Sequence, residues 1–343
     1  MSSRGLVLVT GANGYIAART VEAFLHAGYS VRGTVRSSAS AGGLLAALPD
    51  AVSQGRLEIA VVPDITFGGA FDEAIKGVTA IAHLASPVSL FFTDPDYVIG
   101  TAVKGTKSIL ESTAKARDLK HFVLMSSIAA VLDDKPQGHI YTELDWNESA
   151  SERVTKLGAE VPSKEIYFAS KTLAKKEFWK HKQEKKPGFT MTSILPAFVA
   201  GPPLVLPKPE QLSDSTRFIW EVLSGKDKPE NVGGFGAYVD IRDVARLVLF
   251  GVQNGQDTDG ERYLAVRGWG SPQAAADILR RERPELRDIV KEGAPHSDYL
   301  PDFKFPPQAP NIDGSKAIKA TGRDWISFET TVLDAAKAFE AYL

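Results

Sequence analysis

The sequence of 343 residues contains no cysteine, and this absence excludes several kinds of chemistry. Disulfide bonds, thiolate nucleophiles and zinc sites with sulfur ligands all require cysteine. The six histidines show no paired spacing that would hold a metal ion, so we expect no metal site. Any catalysis must therefore use other side chains or an organic cofactor.

The sequence also lacks an excess of charge of either sign. Forty basic residues stand against 42 acidic ones, which gives a net charge of −2. This balance predicts no nucleic-acid partner and no anionic membrane surface. No apolar run approaches the roughly 20 residues of a membrane span, and the run at residues 6–9 is too short for the core of a signal peptide. We therefore expect a cytoplasmic protein without membrane attachment.

Short apolar runs alternate with amphipathic stretches through the first half of the chain. Six strands are predicted, near residues 5–10, 29–35, 57–62, 79–84, 121–125 and 189–195. Three helical patterns fill gaps between them, near residues 14–27, 97–116 and 164–185. Strand–helix alternation predicts an α/β fold of Rossmann type, a doubly wound parallel sheet with right-handed crossovers.

The amino-acid composition of the chain changes after Pro196. Three stretches are rich in proline or glycine: residues 200–209, 225–236 and 301–310. Such stretches exclude regular helix and central strand. We predict a nucleotide-binding domain over residues 1–195 and a smaller, loop-rich substrate-binding lobe over residues 196–343. Residues 237–252 are expected to return to the first domain, and a helix over residues 327–342 to close the chain.

A glycine turn joins the first predicted strand to the first helix. Gly11 permits a tight turn, and Gly14 lets backbone N–H groups approach a phosphate at the helix N-terminus. Glycines also serve ordinary turns, but the strand–turn–helix context favours a nucleotide site. The third small position is Ala17, which suffices because that position needs only close helix–strand packing. The cofactor contacts predicted in this turn are Gly11, Asn13, Gly14, Tyr15 and Ile16.

The second strand ends without an acidic residue. NAD sites usually place one there, whereas an arginine accommodates the 2′-phosphate of NADP. No Asp or Glu occurs between residues 29 and 49, while Arg32 and Arg36 both lie close to the end of the strand. We interpret Arg32 as a solvated surface residue and Arg36 as the phosphate ligand. The predicted cofactor is therefore NADP (NADPH).

Further cofactor contacts are expected after the third and fourth strands. Asp64 and Ile65 stand where a side chain can reach an adenine, although Asp64 could equally cap a turn. Three residues after the fourth strand are expected to pass under the nicotinamide ribose: Leu84, Ala85 and Ser86. His83 lies inside an apolar run, so we interpret it as a buried structural histidine.

Tyr167 and Lys171 are four residues apart on a predicted helix, a spacing that places them on one face. A phenol with a pKa near about 10 is a poor acid–base unless its anion is stabilised, and a nearby ammonium group does this. The alternative interpretation is that Tyr167 is an aromatic core residue and Lys171 a lysine exposed to solvent. Ser126 and Ser127 directly follow the fifth strand, and a hydroxyl there can hold a carbonyl next to the phenol. The lysine-rich stretch at residues 175–186 is interpreted as a solvated helix face.

These motifs resemble the extended short-chain dehydrogenase/reductase family. The resemblance is to its branch of dihydroflavonol reductases, cinnamoyl-CoA reductases and fungal aldehyde, ketone and methylglyoxal reductases. The matching segments follow the family's order along most of the chain: residues 10–17, 31–36, 83–87, 126–127, 167–171, 195–202 and 238–245.

The resemblance implies a role for each matched residue. Ser127 would position the carbonyl, Tyr167 would donate the proton, and Lys171 would bind the ribose and lower the pKa of Tyr167. The backbone around Pro196 and Val199 would face the nicotinamide. The implied function is an NADPH-dependent carbonyl reductase that transfers a hydride to an aldehyde or ketone and yields an alcohol.

Three other functions remain as alternatives: a 3β-hydroxysteroid dehydrogenase, a sugar-nucleotide epimerase-like enzyme and a non-enzymatic NADP sensor. Epimerases usually keep the acidic residue for NAD, and related dehydratases resemble Thr-Asp-Glu where this chain has Ser-Ile-Ala at residues 127–129. Sensors tend to lose the Tyr/Lys pair, which is intact here.

The substrate pocket is expected at the carboxyl ends of the strands, where open α/β sheets bind ligands. The predicted substrate-binding residues are Phe91, Phe92, Ile128 and Phe198, with Val88, Leu90, Phe218 and Trp220 as further candidates. Each could equally belong to the core of the lobe, which is the interpretation we favour for Trp220. The expected partner is a small carbonyl compound with an apolar or aromatic group, and the expected state is a monomer or homodimer.

Overall fold

The computed structural model describes residues 4–87, 93–234 and 236–343. The strands in these ranges are β1 Leu6–Thr10, β2 Ser30–Val35, β3 Leu57–Val61, β4 Ala80–His83, β5 His121–Met125, β6 Ile140–Tyr141, β7 Thr190–Pro196, β8 Phe198–Ala200, β9 Ala237–Asp240, β10 Arg262–Ala265, β11 Gly268–Trp269 and β12 Asn311–Ile312.

The helices in the same ranges are α1 Tyr15–His26, α2 Gly42–Ala47, α3 Pro49–Ser53, α4 Pro95–Ser112, α5 Ala150–Leu157, α6 Ser163–Lys185, α7 Asp214–Ser224, α8 Ile241–Gln253, α9 Gly255–Thr258, α10 Pro272–Glu282, α11 Ser315–Thr321 and α12 Phe328–Phe339. Among these helices, none combines the length and the apolar character that crossing a membrane requires.

The main sheet has seven strands in the order β10-β7-β5-β4-β1-β2-β3. The five pairings from β7 to β3 are parallel. Because β1 lies between β2 and β4, the chain winds outward from the middle of the sheet in both directions. Ligands of open α/β sheets bind at such a switch point. The predicted Rossmann-type fold is confirmed, and all six predicted strands occur, whereas β10 was missed.

Buried aromatic and aliphatic side chains hold the sheet against α6. Leu8 on β1, Ile81 on β4 and Phe122 on β5 belong to one buried cluster with Phe178 of α6. The rings of Phe122 and Phe178 meet edge-on, with their centroids 5.3 Å apart. This packing fixes the helix that carries Tyr167 and Lys171 against the centre of the sheet.

The chain divides into two compact units. Unit 1 comprises Met1–Asp134, Glu143–Leu195 and Ala245–Tyr263, and unit 2 comprises Lys135–Thr142, Pro196–Val244 and Leu264–Leu343. Unit 1 contains the strands β1 to β5 of the main sheet.

Unit 2 has its own sheets, a three-stranded one of order β11-β9-β8 and a two-stranded one of β12 and β6. Its core includes buried residues of α7, α10 and α12. The prediction of a loop-rich lobe with one closing helix was therefore wrong about helix content. The proline Pro272 begins α10 instead of breaking it, because Ser271 caps the helix by accepting a hydrogen bond from the N–H of Ala274 at 3.0 Å.

Candidate active site

The glycine turn between β1 and α1 is tightly packed. Gly11 has φ of +65°, a conformation that side chains disfavour, and a β carbon there would meet the Cα of Ala85 at 3.3 Å. The N–H of Gly14 donates to the carbonyl of Gly11 at 2.8 Å and closes the turn. The turn therefore brings its backbone close to Ala85, in the segment that follows β4.

The N-terminus of α1 is suited to an anion. Gly14 begins the helix without a side-chain cap, and the first turn contains no acidic residue. The N–H groups there and the helix dipole favour a phosphate. Asn13 and Gly14 are exposed, Tyr15 and Ile16 are half-buried, and Ala17 is buried, in keeping with its packing role.

The hydroxyl of Thr10 organises the segment after β4, and sequence reasoning missed it. Its oxygen accepts hydrogen bonds from the N–H groups of Leu84 and Ala85, each at 2.9 Å, and lies 2.9 Å from Nδ1 of His83. A hydroxyl accepts two hydrogen bonds and donates one, so its proton must go to Nδ1 of His83. The imidazole proton of His83 is then on Nε2.

His83 is a structural histidine, as interpreted from the sequence. The side chain is 2% exposed. Burial, with the charge of Lys171 as a second cause, lowers its pKa to about 3. The ring therefore remains neutral at physiological pH and is no candidate acid at that pH.

The two arginines at the end of β2 have different surroundings. Arg32 pairs with Glu58 at 2.6 Å and also donates to the backbone carbonyls of Ala74 and Lys76. The interpretation of Arg32 as a solvated residue was wrong, because its guanidinium group binds neighbouring segments of the fold. Arg36 is exposed, as a ligand for an incoming phosphate would be.

Asp64 caps a turn. One of its carboxylate oxygens accepts hydrogen bonds from the N–H and the hydroxyl of Thr66, at 2.8 and 2.7 Å. These bonds lower the pKa of Asp64, with Arg36 as a smaller cause. Its neighbour Ile65 packs against Gly105 of α4, where a β carbon would meet the Ile65 side chain at 2.7 Å. A contact of either residue with adenine stays a prediction.

Ser127 begins the short 3₁₀ turn Ile128–Ala130 directly after β5. Its backbone is extended, and its hydroxyl oxygen accepts a hydrogen bond from the N–H of Ala129 at 3.2 Å. The same hydroxyl lies near enough to Tyr167 to lower the pKa of its phenol. The side chain of Ser127 is thus oriented by its own turn and lies near the phenol.

Tyr167 and Lys171 lie one turn apart on α6, with the ammonium nitrogen 5.6 Å from the centre of the phenol ring. Burial raises the pKa of Tyr167, while the nearby hydroxyl of Ser127 opposes this rise. Burial also lowers the pKa of Lys171 to about 8. The expected lowering of the Tyr167 pKa is therefore not found in the protein itself, because the loss of water around the phenol outweighs the stabilisation of its anion.

The geometry thus unites a hydroxyl, a phenol and a buried ammonium group beside a nucleotide-type turn. A sequence profile of the NAD dependent epimerase/dehydratase family matches residues 7–265, which include all of these groups. The chain belongs to this family.

Several relatives of the chain are reductases by name. Ketoreductase azaE of Aspergillus niger is 32% identical over 346 aligned residues, 96% of each chain. Aldehyde reductase 2 of Sporidiobolus salmonicolor is 40% identical over 229 residues, 65% of each chain. The solved structure of yeast methylglyoxal/isovaleraldehyde reductase Gre2 complexed with NADPH is 29% identical, covers 98% of both chains and superposes with a TM-score of 0.86. The predicted resemblance to this reductase branch is confirmed.

Lys175 lies one helical turn beyond Lys171, on the face of α6 that carries Tyr167 and Lys171. The interpretation of residues 175–186 as a solvated face was wrong for Lys175, which is 0% exposed. Its ammonium nitrogen donates to the carbonyl of Ala130 at 2.9 Å and lies 3.9 Å from the ring centre of Trp146. The sequence could have predicted this burial, because the four-residue spacing of Tyr167 and Lys171 continues to Lys175 and places all three on one helix face.

The predicted substrate residues have varied surroundings. Ile128 is half-buried directly after Ser127, in unit 1, and Phe91 and Phe92 lie outside the described residues, as do Val88 and Leu90. Phe198 in unit 2 is half-buried and packs against the core of that unit. Phe218 and Trp220 also belong to or pack against that core, which agrees with the interpretation of Trp220 as core. Pro196 and Val199 lie in unit 2, at the end of β7 and within β8, and are buried.

Proposed function

We propose that this protein is an NADPH-dependent carbonyl reductase in which Tyr167 donates the proton. The observation that supports this most is the placement of the buried ammonium group of Lys171, 5.6 Å from the centre of the Tyr167 ring and one helical turn away. The relatives support the reaction class, since they are named as aldehyde and ketone reductases.

The cofactor is NADPH. The prediction from the sequence is confirmed by the solved relative Gre2, which is complexed with NADPH. The residues of this chain fit it: the uncapped N-terminus of α1 suits the pyrophosphate, the exposed Arg36 suits the 2′-phosphate, and no acidic residue lies between positions 29 and 49 to repel that phosphate. Bound there, NADPH supplies the hydride for the carbonyl carbon.

Tyr167 supplies the proton. Its raised pKa keeps the phenol protonated at neutral pH, which is the form a general acid needs for reduction. Ser127 donates a hydrogen bond to the carbonyl oxygen and places it beside the phenol. Lys171 holds the ribose hydroxyls and, as a cation, stabilises the phenolate that remains after proton transfer.

The substrate is a small aldehyde or ketone with an apolar or aromatic group. Ile128, half-buried directly after Ser127, supports an apolar wall next to the reacting carbonyl. Phe198 remains a predicted second contact, as do Phe91 and Phe92. A cytoplasmic location and a monomeric or homodimeric state also stay predictions.

The test is consumption of reduced cofactor by the purified protein, with NADPH and NADH compared over aldehydes, aryl ketones, β-keto esters, dicarbonyls and dihydroflavonols. Tyr167→Phe should bind NADPH as the wild type does and lose about 10²- to 10⁴-fold in kcat. Tyr342→Phe, a change of the same kind at an exposed residue at the end of unit 2, is the matched control. Turnover of Tyr167→Phe close to the wild-type value would refute the assignment, and tight NADPH binding without turnover on any carbonyl would favour a sensor.

A further inference from the structure

The turn that carries Ser127 is held from two sides. The side-chain amide of Asn147 donates to the carbonyl of Ala129 at 3.0 Å, and the backbone N–H of Asn147 donates to the carbonyl of Ala130 at 3.1 Å. Lys175 of α6 donates to the same Ala130 carbonyl at 2.9 Å. One carbonyl thus receives hydrogen bonds both from the segment around residue 147 and from the helix of Tyr167.

The surroundings of Lys175 disfavour the charged form of its side chain. Its side chain is fully buried, and its ammonium nitrogen lies over the ring of Trp146. Arg262 lies over the same ring, with its guanidinium carbon 4.4 Å from the ring centre, and donates to the carbonyl of Asp145 at 2.6 Å. Burial and the neighbouring Arg262 lower the pKa of Lys175 to about 6. With this pKa the amine is largely neutral at pH 7, so its role does not depend on its charge but on the hydrogen bond that it donates to the carbonyl of Ala130.

We propose that Lys175 is a positioning residue, which holds the turn after Ser127 at a fixed distance from α6 and so maintains the contact between Ser127 and Tyr167. The connection runs through consecutive contacts. Lys175 binds the carbonyl of Ala130, the turn's own Ala129 N–H orients the hydroxyl of Ser127, and that hydroxyl meets the phenol. Tyr167 and Lys175 share one helix, so this bond ties the two catalytic side chains to a single rigid element.

This inference rests on the proposed function, because it assigns Ser127 and Tyr167 to the reaction. It predicts that loss of the hydrogen bond from Lys175 to the carbonyl of Ala130 loosens the turn after Ser127 and leaves the fold intact. Lys175→Met keeps the length and apolar stem of the side chain and removes its donors. The carbonyl of Ala130 keeps the backbone N–H of Asn147 as a donor in this variant, so no buried acceptor is left unsatisfied and the melting temperature should be maintained.

The experiment compares wild type, Lys175→Met and Lys176→Met. Lys176 is the matched control, since it is the next residue on α6 but pairs at the surface with Glu148 at 2.6 Å. Backbone hydrogen exchange at residues 129–132 should accelerate in Lys175→Met, because the N–H groups of Ala130, Val131 and Leu132 bond within this turn. The kcat with NADPH should fall about 10- to 100-fold, as for a small misplacement of a reacting group, and the KM for NADPH should stay unchanged.

Two results would overturn the proposal: exchange at residues 129–132 that equals the wild type, or faster exchange with unchanged kcat. Lys175→Gln is the smaller change should the methionine variant not fold, and the same two criteria apply to it. Tyr167→Phe is measured alongside. If that variant keeps its turnover, the proposed function fails; if it is inactive while Lys175→Met has normal kcat, only the positioning role fails.

Discussion

Arg32 pairs with Glu58 across neighbouring strands, with 2.6 Å between guanidinium nitrogen and carboxylate oxygen. Its further bonds to two backbone carbonyls commit this guanidinium group to the fold. Arg36, at the end of the same strand, is exposed and remains available to a ligand. Of these two arginines, four residues apart, Arg32 binds neighbouring segments of the fold, whereas a role of Arg36 in cofactor choice is a prediction.

Substitution of Arg36 should change cofactor preference. In Arg36→Ala the KM for NADPH should rise about 10-fold or more, the value of a charge-assisted phosphate contact, while the KM for NADH changes little. Steady-state kinetics with both cofactors measures this. Arg32→Ala is the matched control, and it should lower the melting temperature and keep the preference for NADPH. Equal effects of Arg36→Ala on both cofactors would refute the phosphate role.

Substitution of Gly33 should displace the glycine turn. A β carbon at Gly33 would meet the β carbon of Ala12 at 2.6 Å, and the N–H of Ala12 is bound to the carbonyl of Thr34 at 2.9 Å, so the turn cannot yield freely. Gly33→Ala should destabilise the protein by about 1–3 kcal/mol, as overpacking does, and weaken NADPH binding. Thermal unfolding and cofactor titration measure both effects.

The control for Gly33→Ala is Gly42→Ala in α2, where a β carbon meets no atom within 4 Å. This variant should bind NADPH normally and be more stable by about 0.5–1 kcal/mol, since alanine loses less backbone entropy in a helix. Similar losses of NADPH affinity in both variants would contradict the packing argument.

The buried His83 predicts a pH dependence of stability. Its pKa in the folded protein is about 3, below the value of about 6.5 for an unfolded histidine. Between these values the unfolded chain binds a proton that the folded chain does not, so stability falls as the pH drops from about 6.5 towards 3, by at most about 1.4 kcal/mol per pH unit. Denaturant unfolding of wild type and His83→Gln between pH 7 and 4 measures this. In His83→Gln the unfolding free energy should fall less steeply with decreasing pH than in the wild type. Parallel curves for the two proteins would contradict the prediction.

Substitution of Asp240 in unit 2 should lower the unfolding free energy far more than substitution of Asp334, which binds the same arginine. Asp240 is fully buried and accepts hydrogen bonds from Arg242 and from the hydroxyl of Thr331. Asp240→Asn leaves Arg242 without its buried partner and should cost about 3–5 kcal/mol in unfolding free energy. Asp334 also pairs with Arg242, at 2.5 Å, but its side chain is 41% exposed, so Asp334→Asn should cost about 1 kcal/mol or less. Equal losses of unfolding free energy in Asp240→Asn and Asp334→Asn, measured by denaturant titration, would contradict this prediction.

Much of the main sheet could be predicted from the sequence, because strands buried on both faces appear as continuous apolar runs. The strand β10 was missed because it has only four residues and begins with a charged one, Arg262, whose burial depends on Trp146 and residues far away in the chain. In unit 2 the helix α10 was not predicted, and it begins with Pro272. Local composition does not distinguish a proline that begins a helix from one in a loop.

The candidate site was predictable where spacing on one element decides the geometry. Tyr167 and Lys171 are neighbours on any helix, and Ser127 follows a strand that any parallel sheet would bring to the same edge. The electrostatics could not be predicted, since the raised pKa of Tyr167 reflects burial by distant residues. The buried state of Lys175 was missed for the same reason, because a run of lysines suggests solvent unless the helical position of each is followed.

The single oxygen of Thr10 uses its full hydrogen-bonding capacity, with two backbone N–H groups and a ring nitrogen as partners. Valine has the same shape but would leave all three partners unsatisfied at once, whereas serine would keep them. A residue without a hydroxyl at position 10 therefore leaves the N–H groups of Leu84 and Ala85 without this acceptor, whatever residue occupies position 83. The chemistry of one hydroxyl thus limits which sequences can inherit this turn.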